Sequence, residues 1–168
     1  LTGEQTFLDH RYKVGPQVLI PRQETEVLVS VLTEELQRNG MPSLGWEFGL
    51  GSGVISIELI SAFHGLKMIA TEWSDAAARL AQQNAAAILG TEVSQQLQIL
   101  RPDQDTQVLE PLFDWSVQNP ERPGFIVSNP PYLVHGTDEV THEVAQHEPH
   151  MALFAPSGDP LYFYRKLF

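Results

Sequence analysis

The fold is decided by the stretch LGWEFGLGSG, residues 44–53. Residues 44–48 form an apolar run of strand length, and glycines follow at alternate positions, Gly49, Gly51 and Gly53. The next segment, residues 54–63, is rich in apolar side chains and long enough for a helix. A strand, a glycine loop and a helix in this order predict a site where backbone N–H groups approach a nucleotide-like ligand. A glycine triplet by itself fits a plain strand-to-helix turn equally well.

The spacing of the glycines separates this loop from two common nucleotide-binding motifs. G-x-G-x-G is not the G-x-G-x-x-G of dinucleotide binding, and the Gly-Lys-Ser/Thr of a P-loop is missing. A second strand is predicted over residues 66–72, and it ends in Glu72, 21 residues after Gly51. In a βαβ unit an acid at this place accepts hydrogen bonds from ribose hydroxyls. Glu72 also fits as a helix-entry acid, but the order of loop, helix and acid favours the ligand-binding role.

Helices and strands alternate along the rest of the chain. A helix is predicted to begin at Pro21-Arg22 and to end at Asn39-Gly40. Its apolar positions are Val27, Leu28, Val31, Leu32 and Leu36. Ser74-Asp75 is predicted to cap another helix, which Gly90 ends, and residues 97–100 read as a third strand. Residues 101–124 show no clear element, and the fold predicted overall is α/β with a mostly parallel sheet.

A fourth predicted strand, residues 125–128, ends in Asn129-Pro130-Pro131-Tyr132. The prolines donate no backbone hydrogen bond and have a fixed φ, so they stop the strand and keep Asn129 extended. The result is a rigid strand end that presents an amide, with a donor and an acceptor, beside an aromatic ring. Such a device suits a planar nitrogen substrate. A Pro-Pro pair alone is more often an ordinary turn, and the glycine loop upstream is what favours function.

Composition limits the class of protein. A chain of 168 residues with 42% hydrophobic and 18% charged residues is typical of one soluble globular domain. No apolar run is long enough to span a bilayer, and no signal peptide is visible. Cysteine is absent, which excludes disulfides and thiolate metal sites and is compatible with the cytoplasmic location that we expect. The net charge of −11 argues against a broad nucleic-acid-binding surface.

Four histidines, His135, His142, His147 and His150, lie close together in the sequence and are residues of a metal-ligating type. The pattern H-E-x-x-x-H at residues 142–147 is one residue longer than the zinc helix motif. Two rings five positions apart do not share a helix face. The sequence therefore predicts a polar loop over the site, with a short helix near residues 139–145, and no metal.

Together these motifs resemble the HemK/PrmC family of S-adenosyl-L-methionine-dependent methyltransferases, which modify the glutamine of the Gly-Gly-Gln motif in peptide chain release factors. The similarity covers nearly the whole chain. The matching stretches are VLIPRQETE at residues 18–26, EFGLGSG at 47–53, NPPY at 129–132, EPHMAL at 148–153 and DPLYFYR at 159–165. NPPY is shared with other amino-methyltransferases, and P-R-x-E-T-E is the more specific mark. Gln23 and Pro160 depart from the family pattern.

The resemblance implies a Rossmann-like class I methyltransferase fold. Residues 1–22 would form a β-hairpin and substrate-side arm, and residues 23–168 the catalytic domain. We expect the chain to be a fragment, because the family carries an N-terminal helical domain and further strands that are missing here.

The resemblance also implies the roles of the site residues. Asn129, Pro130, Pro131 and Tyr132 would be catalytic, with Asn129 and the Pro130 carbonyl as acceptors for the glutamine NH₂. Pro21 and Arg22 would lie on the substrate side. The expected cofactor-binding residues are Glu47, Gly49, Leu50, Gly51, Ser52, Gly53, Glu72, Trp73, Asp114, Trp115 and Asn129. The acid that contacts adenine stays open between Asp103 and Asp114.

Two other functions remain as alternatives. One is an N-methyltransferase for exocyclic amines of DNA or RNA bases, with Tyr132 stacked on a flipped base. The other is a non-catalytic module that keeps the fold, which the intact site argues against. The dehydrogenase reading is disfavoured by the glycine spacing.

Overall fold

The computed structural model describes residues 3–102, 110–138, 144 and 147–167. The chain begins with an antiparallel hairpin of β1 (Glu4–Phe7) and β2 (His10–Lys13). Four parallel strands then form the central sheet: β3 (Leu44–Phe48), β4 (Lys67–Thr71), β5 (Leu97–Leu100) and β6 (Phe125–Ser128). Their order in the sheet is β5-β4-β3-β6. The predicted α/β class and the four parallel strands are confirmed.

The helices of the described residues are α1 (Gln23–Asn39), α2 (Val54–Ala62), α3 (Asp75–Val93), α4 (Glu110–Gln118), α5 (His150–Leu153) and α6 (Tyr162–Leu167). Ser74 caps α3 by accepting a hydrogen bond from the backbone of Ala77, as predicted. Gly90 breaks the helical geometry of α3 with a φ of 79°, close to its predicted end. In the part of the chain that the structure describes, no helix combines the length and the apolar character that a membrane crossing requires.

The helices cover both faces of the sheet. As a consequence, β3 is buried along its whole length. Trp46 and Phe48 point to the face where Phe163 of α6 packs, and Leu112 and Trp115 of α4 complete that cluster. The opposite face carries the larger core, formed by side chains of the hairpin, α1, α2 and α3. This two-layer cover is what a parallel sheet needs, since both of its faces are apolar.

The hairpin is fastened to the main body by polar contacts. Tyr12 donates a hydrogen bond of 2.8 Å to a carboxyl oxygen of Glu58 on α2, and His10 lies 3.0 Å from the same oxygen. Burial, with Glu58 beside it, raises the pKa of the Tyr12 hydroxyl well above its ordinary value. The buried Asn84 of α3 bonds the Lys13 backbone through both of its side-chain ends and also donates to the Ser52 carbonyl. Asn84 thus ties the hairpin to the glycine loop.

The structure corrects two expectations about helices. Val27 and Val31 were predicted on the apolar face of α1, but they are 62% and 55% exposed, and Val29 is the buried position instead. α4 was not predicted, because its residues lie in the proline-rich segment between the third and fourth strands. The short helix expected near residues 139–145 lies outside the described residues, apart from residue 144.

Candidate active site

The register of the parallel strands brings the predicted site residues to one edge of the sheet. Phe48 at the end of β3 is paired with Thr71 of β4 on one side and Ser128 of β6 on the other. The next residues along the three strands are Gly49, Glu72 and Asn129. These three therefore leave the sheet side by side, at the carboxyl edge where open α/β sheets bind ligands.

The glycine loop has a backbone that side chains rarely adopt. Gly51 and Gly53 have φ values of 57° and 87°, in the left-handed region. A Cβ at Gly53 would also lie 2.9 Å from Ile57 and 3.2 Å from Ala81. The loop is fixed at its start, where Gly49 donates a 3.0 Å hydrogen bond to the Thr71 carbonyl. Its shape is therefore set before any ligand binds.

Glu72 holds the glycine loop from the neighbouring strand. Its carboxylate accepts one hydrogen bond of 2.8 Å from the Gly51 N–H and another of 2.8 Å from the Ser74 N–H. Burial raises the pKa of Glu72, while these N–H donors and Arg101 act in the opposite direction. Each carboxylate oxygen has a second lone pair, so Glu72 can still accept bonds from a ligand hydroxyl.

Glu47 lies beneath the loop and is fully buried. It accepts hydrogen bonds from the backbone N–H and the hydroxyl of Ser56, the third residue of α2. Burial raises the pKa of Glu47 to about 8, against the lowering effect of Ser56, and the nearby Glu72 adds to the rise. Glu47 is therefore mostly protonated at neutral pH.

A cavity of about 110 Å³ opens beside the glycine loop, and we call it the loop cavity. It is lined by the glycine loop, by Gln17, Val18, Leu19 and Pro21 of the segment before α1, and by the end of β6. Its polar and aromatic lining residues include Glu47, Ser52, Glu72, Trp73, Ser74 and Asn129. Trp73 packs edge-on against Phe48, at 5.5 Å between ring centroids. Its buried indole N–H makes no hydrogen bond within the described part of the chain. The same holds for the indole N–H of Trp46 in the core, so the unpaired donor does not by itself mark a ligand contact.

A second cavity, of about 310 Å³, lies on the other side of Asn129, and we call it the arm cavity. Arg22 and Glu24 line it from the arm and the start of α1, and Pro130 and Tyr132 line it from the NPPY segment. Tyr132 is 54% exposed, so its ring forms an open wall. Five residues line both cavities: Leu19, Thr25, Asn129, Pro131 and Ala152. The two cavities thus meet at Asn129.

The Asn129 side chain is held from α1. Its Nδ2 donates a hydrogen bond of 3.0 Å to the hydroxyl of Thr25. The preceding Ser128 donates 2.8 Å to the Phe48 carbonyl and fixes the end of β6 against β3. Downstream, Leu133 exchanges backbone hydrogen bonds with Leu153 and Ala155. The NPPY segment is therefore anchored at both ends.

An ion pair between Arg22 and Glu148 holds the segment before α1 beside the site. The guanidinium lies 2.6 Å from the Glu148 carboxylate, whose side chain is only 2% exposed. The other carboxylate oxygen accepts a bond of 3.3 Å from the Ile20 N–H. Arg22 was predicted to act on the substrate side, and it does line the arm cavity, but its charge is engaged by Glu148. Glu148 was predicted only as part of the EPHMAL stretch, and a charged residue just before a proline is too weak a signal to predict its partner.

Not all predicted site residues come together. Asp114 is exposed on α4 and lines neither cavity. Trp115 donates to the Gln98 side chain at 3.1 Å, packs in the cluster of Phe48 and Phe163, and lines neither cavity. Asp103 lies outside the described residues, so the adenine-contacting acid stays a prediction.

The histidine-rich loop shows no metal cluster among the described residues. The rings of His135, His150 and Phe154 pack on one another, with centroids 5.2 to 6.4 Å apart. His147 is exposed. His142 lies outside the described residues.

The chain has the class I methyltransferase fold, with a glycine loop and a strand-end acid at the carboxyl edge of a parallel sheet. Solved structures show the same fold. The catalytic domain of human METTL16, in complex with a 3′UTR hairpin, superposes with a TM-score of 0.62 at 17% identity, over 92% of this chain and 53% of that one. Human methyltransferase 10 domain containing protein superposes with a TM-score of 0.55 at 20% identity, over 73% of this chain and 54% of that one.

Two relatives found by sequence carry the same name. The release factor glutamine methyltransferase of Cereibacter sphaeroides is 34% identical over 170 residues, 99% of this chain and 53% of the relative. The protein of the same name from Lactococcus lactis is 34% identical over 169 residues, 99% of this chain and 55% of the relative. No family model matches the chain. The chain spans about half the length of these curated relatives, and the predicted resemblance to the release factor glutamine methyltransferases is confirmed.

The buried Glu47 makes stability depend on pH. Its pKa is raised from 4.5 to about 8 in the folded chain, so the folded state binds more protons than the unfolded state between these values. Stability is then lost as pH rises through that window, by up to about 1.4 kcal/mol per pH unit. We expect wild type to lose free energy of unfolding relative to Glu47→Gln between pH 5 and pH 8, measured by urea denaturation.

The matched control is Glu34→Gln, an exposed glutamate on α1 whose side chain is 70% exposed. The free energy of unfolding of this variant should change with pH as that of wild type does. Parallel curves for wild type and Glu47→Gln would show that Glu47 is ionised in the folded chain.

Proposed function

We propose that the protein is an S-adenosyl-L-methionine-dependent methyltransferase that methylates the side-chain amide nitrogen of a glutamine in the Gly-Gly-Gln motif of peptide chain release factors. The observation that carries the proposal is the position of Asn129, where the loop cavity meets the arm cavity. An amide that borders both cavities can hold an acceptor nitrogen against a donor bound on the other side. The names of the sequence relatives support the choice of glutamine as substrate.

The loop cavity fits the cofactor chemically. Nothing lies within 4 Å of the place where a Cβ would stand at Gly49 or Gly51, so a ligand can approach the backbone there. Glu72 has acceptor capacity for ribose hydroxyls. A structure with the same fold, the N-terminal domain of human METTL16, was solved in complex with SAH and superposes at a TM-score of 0.51. When bound, S-adenosyl-L-methionine supplies a methyl group carried on a sulfonium.

The arm cavity would receive the glutamine side chain. An amide nitrogen is a poor nucleophile, because its lone pair is delocalised into the carbonyl. The Asn129 Oδ1 and the Pro130 carbonyl accept hydrogen bonds from the glutamine NH₂, which orients the nitrogen and stabilises the positive charge that develops on it. The Tyr132 ring packs on the flat amide. Catalysis by these residues is positioning and electrostatic stabilisation, with no covalent intermediate.

The arm supports a protein substrate. Residues 1–22 would serve as hairpin and substrate-side arm, and residues 23–168 as the catalytic domain. The Arg22–Glu148 pair keeps the arm in place beside the arm cavity, next to Glu24 and Tyr132. A release factor as partner would locate the enzyme to the cytoplasm.

A base N-methyltransferase is the second candidate. The observation that favours it is the exposed Tyr132 next to Asn129, since an aromatic ring can stack on a flipped base. The net charge of −11 counts against it, because nucleic-acid binding needs clustered Lys and Arg.

Removing the Glu72 carboxylate should weaken cofactor binding. Glu72→Ala loses the acceptor for the ribose hydroxyls and also the bond that fixes Gly51. We expect the affinity for S-adenosyl-L-methionine to fall by roughly 1.5–3 kcal/mol, the value of a hydrogen bond to a charged group. Isothermal titration calorimetry gives the Kd, with Glu34→Ala as the control on an exposed surface. An unchanged Kd in Glu72→Ala would refute the assigned role.

Removing the Asn129 amide should separate binding from chemistry. We expect Asn129→Ala to lose methyl transfer while its Kd for the cofactor stays near that of wild type, because Glu72 and the glycine loop are intact. The assay follows labelled methyl groups into a release factor and, in parallel, into DNA and RNA. Asn39→Ala, at the exposed end of α1, is the matched control.

Full activity in Asn129→Ala would contradict the catalytic role proposed for Asn129. Transfer by wild type into nucleic acid alone would favour the second candidate instead.

A further inference from the structure

Thr25 is a buried hydroxyl in the first turn of α1. It is 5% exposed and lines both cavities. Its backbone N–H bonds the Arg22 carbonyl at 3.1 Å, which fixes the turn next to the arm. Its side-chain oxygen accepts the 3.0 Å hydrogen bond from Asn129 Nδ2, across 104 residues of sequence. The resemblance assigned roles to Pro21 and Arg22 in this segment, but none to Thr25.

In the structure the bond to Thr25 is made by Nδ2, so Oδ1 is the end of the Asn129 amide that stays available to a ligand. The oxygen and the nitrogen of an asparagine side chain have nearly the same shape, so only hydrogen bonds distinguish the two orientations. A threonine hydroxyl carries lone pairs that accept such a bond, and the Thr25 oxygen is the acceptor here. With Nδ2 bound to this acceptor, Oδ1 is turned away from Thr25.

We propose that Thr25 is a positioning residue that holds the Asn129 amide with Oδ1 as the acceptor for the reacting nitrogen. The inference rests on the proposed function, because it assumes that Oδ1 meets an N–H donor of the substrate. A reversed amide would present its own NH₂ to the substrate NH₂, and two donors repel. Thr25 thus lets the first turn of α1 control the acceptor at the end of β6.

Kinetics of two variants and one control test the effect on catalysis. Thr25→Val has nearly the same shape but lacks the acceptor, whereas Thr25→Ser keeps the hydroxyl and loses the methyl group. We expect kcat for methyl transfer to a release factor to fall about tenfold in Thr25→Val, the factor that corresponds to one neutral hydrogen bond. KM for the release factor and Kd for the cofactor should stay unchanged, and Thr25→Ser should restore kcat.

The matched control is Thr33→Val, the same substitution on the same helix at a residue that lines neither cavity. It should behave as wild type. Equal losses in Thr25→Val and Thr25→Ser would show that methyl packing matters and would overturn the proposal. Wild-type kcat in Thr25→Val would overturn it as well.

A second readout does not depend on activity. In protein labelled with ¹⁵N-asparagine, the Asn129 NH₂ signals are identified by their loss in Asn129→Ala. We expect these signals to shift and to exchange faster with solvent in Thr25→Val, to stay near wild type in Thr25→Ser and to be unchanged in Thr33→Val. Unmoved signals in Thr25→Val overturn the proposal. Absence of methyl transfer by wild type would instead refute the proposed function, while the NMR comparison still reports on the Thr25–Asn129 bond.

Discussion

The pairing of three parallel strands at one level is the constraint on which the site depends. Phe48, Thr71 and Ser128 are held in register by the backbone hydrogen bonds of the sheet. A shift of one residue would flip side chains to the other face of the sheet. It would also separate the glycine loop from Glu72 and Asn129. Packing stabilises this register. Trp46 and Phe48 pack against Phe163 on one face of the sheet, and Glu47 accepts a hydrogen bond from Ser56 on the other.

The electrostatics of the loop cavity follow from this packing. Two carboxyl groups border it, the buried Glu47 and the partly buried Glu72, and burial raises the pKa of both. A cation in the cavity would favour their ionised forms, since an opposite charge lowers the pKa of an acid. On the arm side, the buried Glu148 already has its cation in Arg22.

The parts of this arrangement that are local in sequence could be predicted. The four strands, the glycine loop and the strand-end residues Glu72 and Asn129 follow from short patterns of apolar, glycine and proline residues. The contacts across the site could not, since Thr25–Asn129 and Arg22–Glu148 join residues 104 and 126 positions apart. α4 was not predicted, because a proline-rich sequence favours loops. A proline is nevertheless tolerated in the first turn of a helix. The exposed Val27 and Val31 show that apolar spacing alone misjudges which face of a helix is buried.

In the proposed function, Asn129 presents its acceptor to a protein glutamine and not to a nucleic-acid base. The most direct measurement is tandem mass spectrometry of a release factor after incubation with the full-length protein and S-adenosyl-L-methionine. We expect one added methyl group on the side chain of the Gly-Gly-Gln glutamine, and none when that glutamine is replaced. An unmodified glutamine, from a protein that binds the cofactor and methylates DNA or RNA, would contradict it.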